Sequence, residues 1–97
     1  MNRAKILGQL SRNIVQIEAR FGIKSLSIFG PAALDEMTKG GDIGVLIEFA
    51  GTPTFDRYMD LKGHLEALLE GSVNLVITDA VKPRMRPLIE RHLINVA

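Results

Sequence analysis

Several features are absent from this sequence, and each absence narrows the possible functions. There is no cysteine, which excludes disulfide bonds and thiolate metal sites and leads us to expect a reducing, cytoplasmic setting. Long apolar runs are also missing, because Arg3, Lys5, Arg12, Glu18 and Arg20 interrupt the first helix-forming stretch. We therefore expect neither a signal peptide nor a membrane span.

An excess of charge of one sign is missing as well. Twelve Lys and Arg residues against eleven Asp and Glu residues give a formal net charge of +1. No overall field therefore favours nucleic acid or a membrane surface as a partner. What the chain does have is 46% hydrophobic residues, which is sufficient for one small globular domain over residues 1–97.

Hydrophobic periodicity predicts two main helices. Residues 2–21 carry apolar side chains at spacings of three and four, and Gly22 follows as a helix stop. A second helix is predicted from a threonine cap at 52–54 to residue 70. Its expected buried stripe is Phe55, Tyr58, Leu61, Leu65, Leu68 and Leu69. His64 has no ligand-type neighbour at helical spacing, so it is interpreted as a solvated histidine rather than a metal ligand.

Alternating and apolar runs predict strands at residues 24–29, 42–49 and 72–78, and residues 95–97 could add an edge strand. Between the first two, a short helical segment begins at Pro31 and ends before the turn at 39–41. Successive side chains of a strand point to opposite faces, so the odd-numbered residues of the second strand form one apolar face. These elements predict an α/β (α+β) fold with a small mixed sheet of three or four strands covered by helices.

The order of motifs carries a resemblance. The first strand ends at Phe29-Gly30, Asp42 opens the second strand after a glycine turn, and the third strand reads Val73-Asn74-Leu75-Val76. From about residue 23 to 96 the chain resembles the minimal nucleotidyltransferases, small members of the DNA polymerase β-like superfamily. The resemblance implies a nucleotidyltransferase fold like the palm of that polymerase. It also implies Mg²⁺ and ATP as cofactors.

The nucleotide-binding loop of the resembled family is only partly present. Members typically carry Gly-Ser at the strand-to-helix turn and an arginine three residues after the serine. Gly30 matches the glycine, but Pro31 replaces the serine and Leu34 replaces the arginine. Proline lacks the N–H that could bind phosphate, and leucine lacks the positive charge. Nucleotide binding at Gly30, Pro31 and Leu34 is therefore expected to be weak or absent.

The carboxylates of the family are also incomplete. Members carry an Asp-x-Asp strand and a third aspartate on the next strand, and these hold the metal ions. Asp42 matches the first and is the candidate catalytic and metal-binding remnant, whereas Gly44 and Asn74 stand at the other two positions. Magnesium prefers well-placed oxygen ligands, so one carboxylate is a poor site. Asp35 or Glu36 could supply a replacement.

Charge is unevenly placed near the C-terminus. Residues 82–92 contain four Lys or Arg residues and one acid, Glu90, for a local charge of +3. Arginine is favoured at interfaces because its planar fork pairs with carboxylates at two points. Arg84 and Arg86 are therefore predicted to contact a partner protein. The competing interpretation is a solvated basic helix face.

These observations favour a catalytically degenerate nucleotidyltransferase, a pseudoenzyme. The resemblance implies that it acts as the antitoxin-like subunit of a toxin–antitoxin pair and binds a helical partner of the HEPN class. A second hypothesis is an active Mg²⁺-dependent enzyme that transfers NMP from an NTP to a protein or small acceptor, using Asp42 with Asp35 or Glu36. A third is an orphan nucleotide-binding protein, and a fourth is an α/β domain of no assignable function. A homo-oligomer remains open.

Overall fold

The computed structural model describes residues 2–97, and its first element is a long amphipathic helix, α1, at Arg3–Phe21. The side chain of Asn2 caps it by accepting from the backbone N–H of Lys5 at 2.9 Å. Gly22 ends it in the left-handed conformation, with φ 65°. The predicted stripe is confirmed, because Ile6, Leu10, Ile17 and Phe21 are buried and the fifth predicted member, Ile14, is half-buried against the core.

A four-stranded mixed sheet forms the centre of the fold. The strands are β1 at Ile23–Phe29, β2 at Ile43–Phe49, β3 at Val73–Ile77 and β4 at Ile94–Asn95. Their order in the sheet is β3-β2-β1-β4. Strand β1 is antiparallel to both β2 and β4, whereas β2 and β3 are parallel. The mixed sheet and its short edge strand were both predicted.

Three further helices connect the strands. Helix α2 spans only Pro31–Leu34, α3 spans Phe55–Leu69, and α4 spans Arg86–Glu90, after a short 3₁₀ turn at Thr78–Ala80. Helix α3 makes the crossover between the parallel strands β2 and β3. The Thr54 hydroxyl caps α3 by accepting from the N–H of Arg57 at 3.1 Å. No helix that the structure describes has both the length and the apolar character that a membrane crossing needs.

The core lies between the sheet and the pair α1 and α3. Ile43, Val45, Ile47 and Phe49 are all buried, as expected for the apolar face of β2. From α3 the core receives Leu61, Leu65 and Leu69, which are fully buried. Because side chains alternate along a strand, Phe29, Gly44 and Asn74 face the opposite side of the sheet. That side is where the predicted site residues lie.

Candidate functional site

The predicted site residues lie at one end of the sheet. Gly30 follows β1, Asp42 precedes β2, and Asn74 is the second residue of β3. The strand register pairs Gly44 with Phe29 on one side and with Asn74 on the other. The structure therefore places Gly44 and Asn74 on neighbouring strands, with Gly30 just after β1 and Asp42 just before β2.

The turn after β1 is built by backbone geometry that glycine permits. Gly30 has φ 68° and ψ −150°, a conformation that residues with a side chain rarely adopt. Pro31 is the first residue of α2 and has no N–H to donate. The N–H groups of Ala33 and Leu34 both donate to the carbonyl of Gly30, at 3.0 and 3.1 Å. The turn therefore satisfies these two amides internally, and the exposed Leu34 side chain adds an apolar surface.

Gly44 is the tightest backbone contact of the site. A Cβ atom on Gly44 would lie 2.8 Å from the carbonyl oxygen of Phe29 and 2.8 and 2.9 Å from two carbon atoms of the Phe29 ring. Such distances are shorter than real Cβ atoms show. The Phe29 carbonyl belongs to the β1 backbone and cannot rotate aside. A side chain at Gly44, including an aspartate, would therefore require β1 and β2 to move apart locally.

The carboxylates near this end of the sheet do not form a cluster. Asp42 and Asn74 are both exposed. One oxygen of Asp35 accepts a hydrogen bond from the N–H of Arg3, at 2.9 Å, so this carboxylate is engaged at the start of α1. Within residues 2–97 no group of three or more His, Cys, Asp or Glu side chains is placed to hold a metal ion. This donor set does not fit the carboxylate-rich coordination that Mg²⁺ requires.

The two arginines predicted as partner contacts are exposed on the C-terminal segment. Arg86 donates through Nη2 to the carbonyl oxygen of Thr78 and pairs through Nη1 with Oε1 of Glu90, each at 3.4 Å. Arg84 lies in the turn before α4. Among the described residues, the Arg86–Glu90 pair is the one salt bridge within 4.0 Å. Contact of Arg84 and Arg86 with a partner stays a prediction.

A groove beside β3 was not predicted from the sequence. It has a volume of about 450 Å³, and its lining includes Pro53, Phe55, Tyr58, Leu75, Ile77 and Ala80. The assignment of Phe55 to the buried stripe was wrong, because this side chain is 76% exposed. Phe55 lies in the first turn of α3 and lines this groove instead of entering the core.

His64 lies between the two long helices rather than free in solvent. Its ring packs against that of Phe21, with 5.3 Å between ring centroids. Burial lowers the pKa of His64 from its ordinary value of 6.5, and the positive charge of Arg20 lowers it further. The interpretation as a solvated histidine was therefore wrong about its surroundings. Among residues 2–97 no metal-binding cluster includes His64, and it is a packing residue between the helices.

Comparison with known proteins finds clear relatives, although no family model matches the chain. The chain is 38% identical over 81 residues to a candidate protein adenylyltransferase of Methanocaldococcus jannaschii, covering 82% of this chain and 83% of that protein. It is 27% identical over 81 residues to the protein adenylyltransferase MntA of Thermococcus cleftensis, covering 84% of this chain and 82% of that protein.

Solved structures agree with the fold. A structure described as a minimal nucleotidyltransferase superposes with a TM-score of 0.81 at 28% identity and covers 97% of this chain and 95% of its own. The MNT antitoxin complex of Shewanella oneidensis, solved with tri-AMPylated HEPN toxin, matches with a TM-score of 0.69 at 14% identity. That match covers 94% of this chain and 71% of the solved one, and at this identity it shows the fold alone.

Proposed function

This chain belongs to the minimal nucleotidyltransferases, the family of the protein adenylyltransferases, and from that premise we propose that it has lost catalysis and acts as a binding subunit. In this proposal its role is that of an antitoxin-like protein that binds a helical HEPN-type partner. The function resides in the surface of the fold, and Mg²⁺ and ATP are no longer required for it.

The contact between Gly44 and Phe29 is the observation that carries this proposal. In the resembled family an aspartate occupies the position of Gly44, and here a Cβ atom would meet the β1 carbonyl at 2.8 Å. Glycine in place of that aspartate is therefore accompanied by a close spacing of β1 and β2, which leaves no room for a carboxylate at this position. Asn74, across the parallel register from Gly44, offers only a neutral amide. Together these features argue against a retained two-metal site.

The turn at Gly30 supports the same proposal. A phosphate-binding turn presents free N–H groups, and helix N-termini add a favourable dipole. Here Pro31 contributes no N–H, and the amides of Ala33 and Leu34 are bound to the Gly30 carbonyl. Leu34 stands where the family has arginine, so the charge that would neutralise a triphosphate is also missing.

The choice of partner rests on the solved relatives and on surface charge. The Shewanella oneidensis protein that shares this fold was solved with a HEPN toxin. In this chain Arg84 and Arg86 lie exposed on a segment where basic residues outnumber acidic ones. We expect these arginines to contact acidic residues of the HEPN-type partner. Surface charges of this kind raise association rates at low salt more than they raise affinity.

The test is an assay for nucleotide transfer within a complex that is shown to have formed. The chain is mixed with a HEPN-type protein from the same genome, and the complex is isolated by size exclusion. It is then incubated with Mg²⁺ and ATP labelled at the α-phosphate. We expect a stable complex and no labelled protein. Label on either protein that disappears with Asp42→Ala would support the active transferase instead. Failure of any HEPN-type protein from that genome to bind would remove the partner from the proposal.

A further inference from the structure

The groove beside β3 has the character of a protein-binding surface. Phe55 stands on its rim with 76% of its side chain exposed, and Tyr58, Leu75 and Ile77 form its apolar lining. A contiguous apolar surface shared by several side chains is a candidate contact surface, whereas single exposed apolar residues are common. Aromatic side chains are also enriched among the residues that dominate interface energetics.

The hydrogen bonding of β3 favours a helix over an extended peptide as the occupant. The carbonyl of Ser72 pairs inward with Ile43, at 2.9 Å, so the backbone groups of the odd-numbered residues point away from β2. Two of these outward groups are already bound by side chains of α3. The N–H of Val73 donates to Glu66 at 3.0 Å, and the carbonyl of Leu75 accepts from the Tyr58 hydroxyl. An added strand would have to break both bonds.

The charge around the groove favours an acidic occupant. Arg86 reaches the carbonyl of Thr78, which follows directly on the lining residue Ile77, and so brings the basic segment to this end of the groove. From Asp79 to Arg91 four basic residues outnumber two acidic ones. On the α3 side, Asp56 is followed by Arg57, and their charges offset each other. Met85 and Leu88, 43% and 65% exposed, add apolar surface to the same segment.

We propose that this groove binds an amphipathic helix whose apolar stripe is flanked by Asp or Glu residues. The stripe packs on Phe55 and Tyr58, and the carboxylates face Arg84 and Arg86. Helix-in-groove binding of this kind uses apolar anchors at helical spacing. The inference rests on the proposed function in one respect, because it assigns the helix to the HEPN-type partner.

Fluorescence of the single tyrosine of the chain can measure binding to the groove directly. Tyr58 lies in the groove, and the sequence has no tryptophan. The probe is a stapled helical peptide without Tyr or Trp, with leucines on one stripe and glutamates on both flanks. The matched control peptide carries lysines in place of the glutamates. We expect saturable change of Tyr58 emission with the acidic peptide, and about tenfold weaker binding of the basic one at low salt. Added salt should shrink that difference.

Matched variants locate the contact. Phe55→Ala should lower the affinity for the acidic peptide by about tenfold, because a central aromatic anchor is lost. Val15→Ala is the control, since Val15 is 75% exposed on α1 and does not line the groove. It should leave binding unchanged. Arg84→Glu should abolish the preference for the acidic peptide. Circular dichroism of each variant confirms that the fold is retained.

Three results would overturn the inference. They are absence of binding by the acidic peptide, equal binding of both peptides, and a Tyr58 signal that changes with protein concentration alone, which would make a second copy the occupant. The complex with the HEPN-type protein separates this inference from the proposed function. If that complex forms and Phe55→Ala leaves its affinity unchanged, the groove assignment fails and the proposed function stands. If no HEPN-type protein binds, the proposed function fails. The peptide experiment then still shows whether the groove binds an acidic helix.

Discussion

At the scale of single residues, Gly44 determines more of this site than any side chain does. A glycine inside a strand usually weakens it, because the backbone loses more conformational freedom on folding and packs no side chain. Here the carbonyl and ring of Phe29 approach so closely that any larger residue would collide with β1. The residue type at position 44 and the spacing of β1 and β2 are therefore coupled. Restoring aspartate alone does not recreate the geometry of the family site.

The first prediction concerns stability. Gly44→Ala and Gly44→Asp should both lower the free energy of unfolding, by about 1–3 kcal/mol, which is typical of overpacking in a well-packed region. Urea denaturation monitored by circular dichroism measures it. Asn74→Asp is the matched control, because Asn74 is exposed and its substitution should change stability little. A Gly44→Asp variant as stable as the parent protein would show that the strands separate at little cost.

His64 supports a second prediction, on pH. Its pKa is lowered in the folded protein by burial and by Arg20, so the unfolded chain takes up this proton first as the pH falls. The stability contributed by neutral His64 is complete above about pH 6.5 and is lost as the pH falls toward the lowered value. The urea midpoint should therefore drop more between about pH 7.5 and pH 5.5 in the parent protein than in His64→Gln. Equal drops in both proteins would contradict the shift.

At the scale of elements, the start of α1 is tied to the end of α2. Asp35 ends α2 in the left-handed conformation, with φ 60°, and its carboxylate accepts from the N–H of Arg3. The Arg3 guanidinium also donates to the carbonyl of Ala33, at 3.2 Å. A negative charge is favourable at a helix N-terminus, because that end carries a partial positive charge. One carboxylate oxygen of Asp35 is thereby committed to the N-terminus of α1.

This junction gives the third prediction. Asp35→Ala should destabilise the protein by about 1 kcal/mol, since it removes a cap-like acceptor and places a less tolerant residue in the left-handed region. Asp35→Asn should cost much less, because asparagine retains an acceptor oxygen and tolerates that conformation. Thermal unfolding of the two variants compares them directly. Equal loss in both would assign the effect to charge rather than to the hydrogen bond.

The elements also show which parts of the fold could be predicted from the sequence. Periodicity and caps predicted α1, α3 and the strands, because the apolar stripes of this chain are regular and Gly22 and Thr54 mark helix ends. Periodicity and caps could not predict the contact of Phe29 with Gly44, because that contact depends on the β1–β2 register. Nor could they predict the exposure of Phe55, since helical spacing does not show which part of a helix face the rest of the fold covers. Both misses involve residues brought together from distant parts of the chain.

At the scale of the whole molecule, the two faces of the sheet carry different sets of residues. One face holds the buried side chains of α1, α3 and β2, and the opposite face carries the altered positions Gly44 and Asn74. Exposed positions of the second face, such as Asn74, can therefore be substituted without opening the core, whereas the buried Gly44 cannot. Under the proposal of a lost active site, that division would let the fold stay close to its relatives while the site residues change. The extent of the domain, residues 1–97, stays a prediction.

The last prediction uses this division to separate nucleotide binding from catalysis. The parent protein should bind Mg·ATP weakly, and the double variant Pro31→Ser with Leu34→Arg should bind it about tenfold or more tightly, since a charged hydrogen bond contributes roughly 1.5–3 kcal/mol. The control replaces Leu34 with glutamine beside the same serine, which supplies a shorter, neutral hydrogen-bonding side chain without the charge. Calorimetry measures affinity, and α-phosphate label transfer measures turnover. The double variant should show no transfer, because the carboxylates are still missing and the contact of Phe29 with Gly44 is unchanged. Transfer by the double variant would mean that Asp42 suffices with partners other than the family carboxylates, and the proposal of a lost active site would then be wrong.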